Sequence, residues 1–296
     1  MVLRFVTGVS LAGVYPSGLK IMAGWFQRGR GMALGVLVGA LTIGSASPHL
    51  VRGIGLDWRS VVVTASVAAV LAAGIVLKLV GDGPFSTATS PFNLSQVGRL
   101  LRNRRFRLAT LGYLGHMWEL YALWTWAAVF LVASEARAGI GYGSVPTLTF
   151  FVIAAGGAGS WLAGVVSDRV GREVAAGVSL AISGTIALAS PLFFGASPLV
   201  VIPVMLVWGT AVVADSAQFS VIVTEVTRSE VRGTALTLQT ALGFLLTLVT
   251  IRLTPSIADS VGWRWGFLWL GLGPLVGLWA MRSLGRSQQV LAAATR

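Results

Sequence analysis

Nine apolar stretches, each close to the length needed to cross a bilayer, follow one another along this chain. An α-helix of about 20 residues spans the hydrocarbon core, and the stretches are residues 2–25, 32–50, 60–80, 108–133, 145–166, 174–194, 199–223, 234–251 and 265–281. Their mixed glycine, alanine, leucine and valine content favours helices over barrel strands. The sequence therefore predicts an all-α integral membrane protein with about nine transmembrane helices.

The composition argues against most other classes of protein. Hydrophobic residues make up 55% of the chain and the mean hydropathy is +0.81, more apolar surface than a water-soluble core can hide. Cysteine is absent, so neither a disulfide nor a Cys-based metal or redox site can form. We expect no metal and no cofactor. We attribute the excess of 22 basic over 10 acidic residues to basic membrane-proximal loops and not to nucleic-acid binding.

The distribution of arginine between the two sets of loops predicts the orientation. One set holds more arginines, namely Arg28, Arg30, Arg99, Arg102, Arg104, Arg105, Arg107, Arg169, Arg172, Arg228 and Arg232, with Arg282, Arg286 and Arg296 in the tail. The opposite set holds Arg4, Arg52, Arg59, Arg137, Arg252 and Arg264. Since cytoplasmic loops carry the basic excess, we predict a multi-pass protein of the cell (inner or plasma) membrane with a cytoplasmic C-terminus.

The longest connection, residues 81–107, divides the chain. Gly83-Pro84 and Ser90-Pro91 interrupt it, and Asn93 followed by Gln96 is typical of a helix start. The segment is then either a short amphipathic helix on the cytoplasmic leaflet or a solvated linker. We therefore divide the chain into residues 1–80 (three helices), 81–107 (linker), 108–281 (six helices) and 282–296 (cytoplasmic tail).

An internal repeat relates the first three spans to the last three. Arg30-Gly-Met-Ala-Leu34 opens the second span and Arg232-Gly-Thr-Ala-Leu236 opens the eighth, and a Trp-Arg pair follows each, at Trp58 and Trp263. Parallel repeats of this kind build two-half transporters. Spans four to six have no upstream copy, so we expect three further helices before Met1 in a complete protein of six plus six.

The segment Gly164 to Arg172 reads G-V-V-S-D-R-V-G-R and joins two apolar spans almost without a linker. This Gly-x3-Asp-Arg-x-Gly-Arg pattern resembles the signature loop of the major facilitator superfamily of transporters, and the nine spans look like helices 4 to 12 of its twelve. The resemblance implies that Gly164, Asp168, Arg169, Gly171 and Arg172 form a latch on the cytoplasmic side. The alternative is a basic inner loop without that role. Glu173 departs from the family pattern, which commonly has a basic residue there.

A second resemblance concerns Arg4-Phe-Val-Thr-Gly8, which is similar to the fourth-helix motif of the same superfamily. There the arginine is associated with proton coupling, although the usual glutamine before the glycine is Thr7 here. Arg4 can instead reach water by snorkelling. Lys20 lies five residues from the end of its span, so it either snorkels or faces inward to an anionic substrate.

His116 and Glu119 are the leading candidates for a proton pathway. Glu119 lies about 16 Å into its span at about 1.5 Å per residue, and residues three apart share a helix face, so both can face one cavity. An intramembrane carboxylate is a functional candidate. The alternative is a Glu–His pair that holds helices together. Tyr113 and Tyr121 line the same cavity or face lipid.

Three polar residues of the later spans complete the candidates. Asp215, with Gln218 three residues later, lies in the inner third of its span, and we expect it to pair with Arg169, Arg172 or Arg232 in the inner gate. Gln239 is a further candidate for the cavity wall.

The leading interpretation is a secondary transporter of a small molecule or ion, working as a monomer when full length, by alternating access and with protons as a coupling partner (symport). Tyr15-Pro16 and the run from Gly115 to Tyr121 also resemble bacterial permeases of the nitrate, nitrite or cyanate type, a resemblance that leaves the ion open. A non-functional transporter fragment is the main alternative. A polytopic membrane enzyme is disfavoured because the sequence has two histidines, no cysteine and no His-Glu-x-x-His motif.

Overall fold

A computed structural model describes residues 2–26, 28–55, 57–85 and 94–294 of the chain. Within these ranges, the side chains of Arg4, Tyr15, Pro16, Ala23, Ser229 and residues 288–294 lie outside the description. The described residues form helices and connecting turns, with no strand among them. The all-α prediction is confirmed.

Twelve α-helices follow one another in the described chain, with short 3-10 turns at Ser229–Val231 and Leu268–Gly271. The helices are α1 (Val2–Trp25), α2 (Arg30–Gly53), α3 (Trp58–Leu79), α4 (Leu94–Arg102), α5 (Arg104–Ala138), α6 (Val145–Val170), α7 (Arg172–Phe193), α8 (Pro198–Ala214), α9 (Ser216–Val226), α10 (Arg232–Val261), α11 (Trp263–Gly266) and α12 (Leu272–Ala294).

Eight helical segments of the described chain are long and apolar enough to cross a membrane. They correspond to the second to ninth predicted spans; α8 with α9 forms one of them, Pro198–Val226, and α11 with the start of α12 forms another, Trp263–Ser287. The first predicted span is the 24-residue helix α1, with the predicted bounds, although it is not among the eight. The structure thus agrees with a polytopic membrane bundle.

The helix boundaries follow local sequence signals. The side chain of Asp57 accepts a hydrogen bond from the backbone N–H of Ser60 at the start of α3, and Asn103 accepts one from Arg105 N at the start of α5, as N-cap residues do. Between α6 and α7 a single residue, Gly171, turns the chain with φ 95°, a conformation that L side chains rarely adopt.

The repeated motifs occupy equivalent positions in the fold. The arginine of each Arg-Gly-x-Ala-Leu motif is the first residue of its helix, Arg30 in α2 and Arg232 in α10. The tryptophan of each Trp-Arg pair is also a first residue, Trp58 in α3 and Trp263 in α11. The two copies therefore start helices alike, as the predicted repeat requires.

The short helix predicted in the linker is present as α4. Leu100 is its buried residue and belongs to an apolar cluster with Phe106 and Leu108 of α5. Leu94 and Leu101 of the same helix are exposed. The predicted cap at Asn93 lies outside the described residues.

Residues 108–281 form the larger part of the bundle, with α5 and α8 at its centre. Helix α5 contacts α10, α12, α9 and α8, while α8 packs on α6 and α7. The largest fully buried side chains come from these contacts and include Trp208, Phe130 and Phe267, with Phe130 and Phe267 stacked at 4.7 Å between ring centroids. This packing brings the polar residues of α5, α7 and α8 together.

The predicted seventh span is interrupted at Asp215. Helix α8 ends at Ala214, α9 begins at Ser216, and Asp215 between them has φ −85° and ψ −13°. The sequence indicated one continuous apolar span here, because the break involves neither glycine nor proline. It leaves Asp215 at a position where the two helices can change direction.

Helix α2 joins the first three helices to the rest by approaching the backbone of α6. A side-chain Cβ built on Gly35 would lie 2.5 Å from the carbonyl oxygen of Ser160, and one on Gly39 would lie 3.0 Å from that of Gly157. Small residues at such positions let helix backbones come close and gain van der Waals contact. By contrast, α3 has no buried residue.

This contact predicts that Gly35→Ala destabilises the protein. The added methyl meets backbone atoms of α6, and overpacking of this kind costs about 1–3 kcal/mol, against a gain of about 0.5–1 kcal/mol in helix propensity. Thermal unfolding of the detergent-purified protein measures the difference.

Gly44→Ala in the same helix is the matched control, because a Cβ there meets no atom within 4 Å. We expect it to leave the melting temperature unchanged or raise it. Equal melting temperatures for the two variants would contradict the close α2–α6 contact.

Candidate functional site

Glu119 lies at the junction of three helices and is completely buried. The indole Nε1–H of Trp208 in α8 donates a hydrogen bond to Oε1 at 2.6 Å, and the hydroxyl of Ser183 in α7 donates one to Oε2 at 2.8 Å. A buried carboxylate needs such partners, because an unsatisfied charge in a low-dielectric interior is costly. Both partners are neutral groups.

His116, one turn before Glu119 on α5, has separate partners. Its Nδ1 lies 2.7 Å from Oδ1 of Asp215, and its Nε2 lies 3.0 Å from the hydroxyl of Ser216. The Nδ1–Oδ1 separation is that of an ion pair, but the ring does not point along the line of a hydrogen bond to Asp215. His116 and Asp215 are both about 2% exposed.

These contacts correct two expectations. Asp215 pairs with His116 and not with Arg169, Arg172 or Arg232, because α9, which begins directly after Asp215, packs on α5. His116 and Glu119 share the buried face of α5 as predicted, but they do not pair with each other. Within the described residues they lie in packed protein and do not line an open cavity.

The two tyrosines of α5 lie against α10. Tyr113 is half-buried, with its ring 6.2 Å from that of His116 and 6.0 Å from that of Phe219. Tyr121 is half-buried, 5.5 Å from the rings of Trp124 and Phe244. The structure thus places both between helices, where the predicted alternatives were a cavity wall or lipid.

The remaining pathway candidates are dispersed. Gln239 of α10 is buried, and its Nε2 donates to the backbone carbonyl of Ala109 at 3.4 Å, joining α10 to α5. Lys20 is exposed on α1. The side chain of Arg4 lies outside the described residues. The structure therefore does not bring Gln239 or Lys20 to Glu119.

The signature segment forms an ion-pair network around Arg172 at the start of α7. Its Nε donates to Oε1 of Glu225 in α9 at 2.9 Å, and a terminal nitrogen donates to Oδ1 of Asp168 at 3.3 Å. The other terminal nitrogen lies 3.5 Å from Oε1 of the buried Gln218. One guanidinium thus links the ends of α6, α7 and α9, and we call these four residues the arginine network.

The other members of the signature have different positions. Gly164 faces Gly31 of α2, where a Cβ on Gly31 would lie 2.8 Å from the carbonyl oxygen of Gly164 and 2.7 Å from Oδ1 of Asp168. Arg169 and Arg232 are exposed. Helix α2 therefore begins against the arginine network.

Sequence reasoning missed Trp208, Ser183, Ser216 and Glu225 as partners. Each is a residue type common in membrane helices or at their ends, and nothing local marks it as facing a particular carboxylate or arginine. Glu225 had the clearest signal, as one of only 10 acidic residues. In the described part of the chain no group of three or more His, Asp or Glu side chains is placed to hold a metal ion.

The fold and these buried polar groups define a polytopic α-helical membrane protein. The family profile of the Major Facilitator Superfamily matches residues 1–249, and the chain belongs to that family. Members of this family are membrane transporters, and the chain is thus a membrane transporter of the superfamily. No curated protein matches the chain.

The contact between Ser183 and Glu119 predicts that Ser183→Ala lowers stability. The substitution leaves Oε2 without its donor inside the bundle, which costs about 1–3 kcal/mol. The melting temperature of the purified protein measures the effect.

Ser179→Ala, one turn earlier on α7, is the control, because the buried Ser179 hydroxyl donates to the carbonyl of Ala175 within its own helix. We expect little change there. If both variants lower the melting temperature equally, the Ser183–Glu119 bond does not contribute to stability.

Proposed function

We propose that the protein is a secondary active transporter that moves a small solute by alternating access and that Glu119 carries the coupled proton. The observation that supports this most is the complete burial of Glu119 with two neutral hydrogen-bond partners. An intramembrane carboxylate without a cation partner is a site where a proton can bind and leave.

The chemistry of the two partners fits both protonation states. The indole of Trp208 can only donate and so holds Oε1 in place, whereas the hydroxyl of Ser183 can donate or accept. When Oε2 takes a proton, Ser183 can rotate its O–H away and accept that proton in a hydrogen bond. Neither state then leaves a carboxyl oxygen without a partner.

His116 and Asp215 are the second part of the proposed proton pathway. They form a buried pair, with Nδ1 of His116 2.7 Å from Oδ1 of Asp215, and His116 lies one helical turn from Glu119 on α5. Tyr113, whose ring lies next to that of His116, completes this group, and Tyr121 borders the solute path on the α10 side.

Helix α9 is the proposed connection between this pathway and the gate. It begins immediately after Asp215 and carries Gln218 and Glu225, which both contact Arg172. A change at the His116–Asp215 pair that tilts α9 would therefore strain or release the arginine network. We infer that this network closes the cytoplasmic side while the solute site faces outward.

The orientation and domain organisation follow from the sequence. The arginine-rich loops are cytoplasmic, which places the C-terminus in the cytoplasm of a cell whose inner or plasma membrane holds the protein. Residues 1–80 and 108–281 act as the two moving parts, joined by residues 81–107. The full-length transporter works as a monomer. Nitrate, nitrite and cyanate are the first solutes to test as transport substrates.

The first test is Glu119→Gln in vesicles containing the full chain, with nitrate, nitrite and cyanate as probe solutes and an imposed pH gradient. The amide keeps the shape of the carboxyl group but cannot carry a proton. We expect gradient-driven accumulation to fall to the level of protein-free vesicles while solute exchange without a gradient continues.

Glu135→Gln is the matched control, since Glu135 lies on the same helix near its C-terminal end. It should accumulate solute normally. Unchanged accumulation by Glu119→Gln would show that Glu119 does not carry the proton, and a wild-type chain that moves no small solute would contradict transport by these residues.

The second test concerns the gate and uses the absence of native cysteine. In an Ala217→Cys background, we expect Arg172→Gln to raise the rate of maleimide labelling about fivefold. Losing the ion pairs should destabilise the closed state by about 1 kcal/mol relative to the open state. Ala217 is fully buried, next to Gln218.

Arg169→Gln removes the same charge from an exposed neighbour and should leave the labelling rate unchanged. Equal rates in both variants would mean that the arginine network does not hold the gate closed.

A further inference from the structure

A small basic pocket lies where the start of α5 meets the middle of α12, and it shares no residue with the Glu119 site or the arginine network. Arg104 of α5 lines it together with Ser283, Arg286 and Ser287 of α12, and its volume is about 340 Å³. We call these four residues the basic pocket. The proposed transport mechanism uses none of them.

The positive charge of the basic pocket is not neutralised within the described chain. The ion pairs found among the described residues involve His116 and Arg172, and none involves Arg104 or Arg286. The sequence explains this, because residues 94–118 and 260–296 contain no aspartate or glutamate. Two arginines from different helices therefore share a concave site to which the described residues supply no counter-charge, an arrangement that favours an anion.

The residue types select an oxyanion with several acceptor oxygens. Arginine presents a planar fork of N–H donors that matches phosphate. The Ser283 hydroxyl adds one further, neutral donor. The Ser287 hydroxyl already donates to the carbonyl of Leu284. The N-terminal N–H groups of α5 add little, since Asn103 already accepts from Arg105 N and Phe106 N.

The depth of the basic pocket points to a lipid rather than to a free anion. Arg104 is the first residue of one membrane-crossing segment, and Arg286 follows the last apolar stretch of the sequence, which ends at residue 281. The next residues inward, among them Phe106 and Leu284, are buried and apolar. The arginines thus lie where the apolar core ends, at the level of lipid phosphates.

We propose that the basic pocket binds the phosphate of an anionic phospholipid headgroup and so fastens the first and last helices of the 108–281 half to each other. Both leaflets contain such a phosphate layer, and binding of this kind does not depend on the transported solute.

The test adds phosphatidylglycerol to the full-length protein in neutral detergent and follows thermal unfolding as a function of lipid concentration. A ligand that binds the folded state raises the melting temperature with concentration. Phosphatidylcholine and inorganic phosphate are added in parallel arms. We expect a saturable rise with phosphatidylglycerol and none with the other two.

The Arg104→Gln/Arg286→Gln double variant should bind phosphatidylglycerol at least about tenfold more weakly, as expected when two arginines each contribute about 1 kcal/mol. The Arg105→Gln/Arg282→Gln variant removes two charges from the same parts of the same helices, outside the basic pocket, and should retain binding. A count of retained lipids by native mass spectrometry gives a readout that does not depend on stability, should either double variant unfold early.

Two results would overturn the proposal. Equal losses in the two double variants would mean that phosphatidylglycerol follows net charge and not a site. A saturable rise with inorganic phosphate that Arg104→Gln/Arg286→Gln removes would mean that the site takes a free anion and not a lipid.

Discussion

The close approach of α2 and α6 is the contact that makes the bundle a single structure. In a bilayer there is little hydrophobic drive between helices, so association depends on van der Waals packing over surfaces that fit closely. The glycines of α2 supply that fit, with Gly35 and Gly39 against backbone atoms of α6. Helices α1 and α3 pack on α2, so their position also depends on this contact.

The same contact leads to the cytoplasmic ion pairs. Where α2 begins, Gly31 lies against Gly164 and Asp168, with Arg172 beside them. A larger residue at Gly31 would occupy the space that the Asp168 carboxylate takes. The arginine network therefore lies beside the point where Gly31 of α2 meets Gly164 of α6. A sliding motion of α2 along α6 would change the contact of α2 with Asp168.

Inside the 108–281 half, polar groups are satisfied in small separate sets. Glu119 uses Trp208 and Ser183, while His116 uses Asp215 and Ser216. The first set joins α5 to α7 and α8, and the second joins α5 to the start of α9. Two ionisable residues three positions apart on one helix therefore have separate partners. Burying a polar group without a hydrogen-bond partner costs free energy relative to leaving it in water. Any shift of one helix that breaks these pairings is therefore unfavourable.

The sequence by itself determined the membrane class and the approximate position of the helical spans, because these depend on apolar length. Several helices extend beyond the predicted spans, as α10 does to Val261, since apolar length does not mark where a helix ends outside the hydrocarbon. The sequence also determined that Glu119 and His116 share a buried face, since three residues is close to one helical turn. Only the tertiary structure decided their partners. Asp215 pairs with His116 and Arg172 with Glu225 because helix rotation and the break between α8 and α9 set which side chains meet, and neither depends on residues close in the chain.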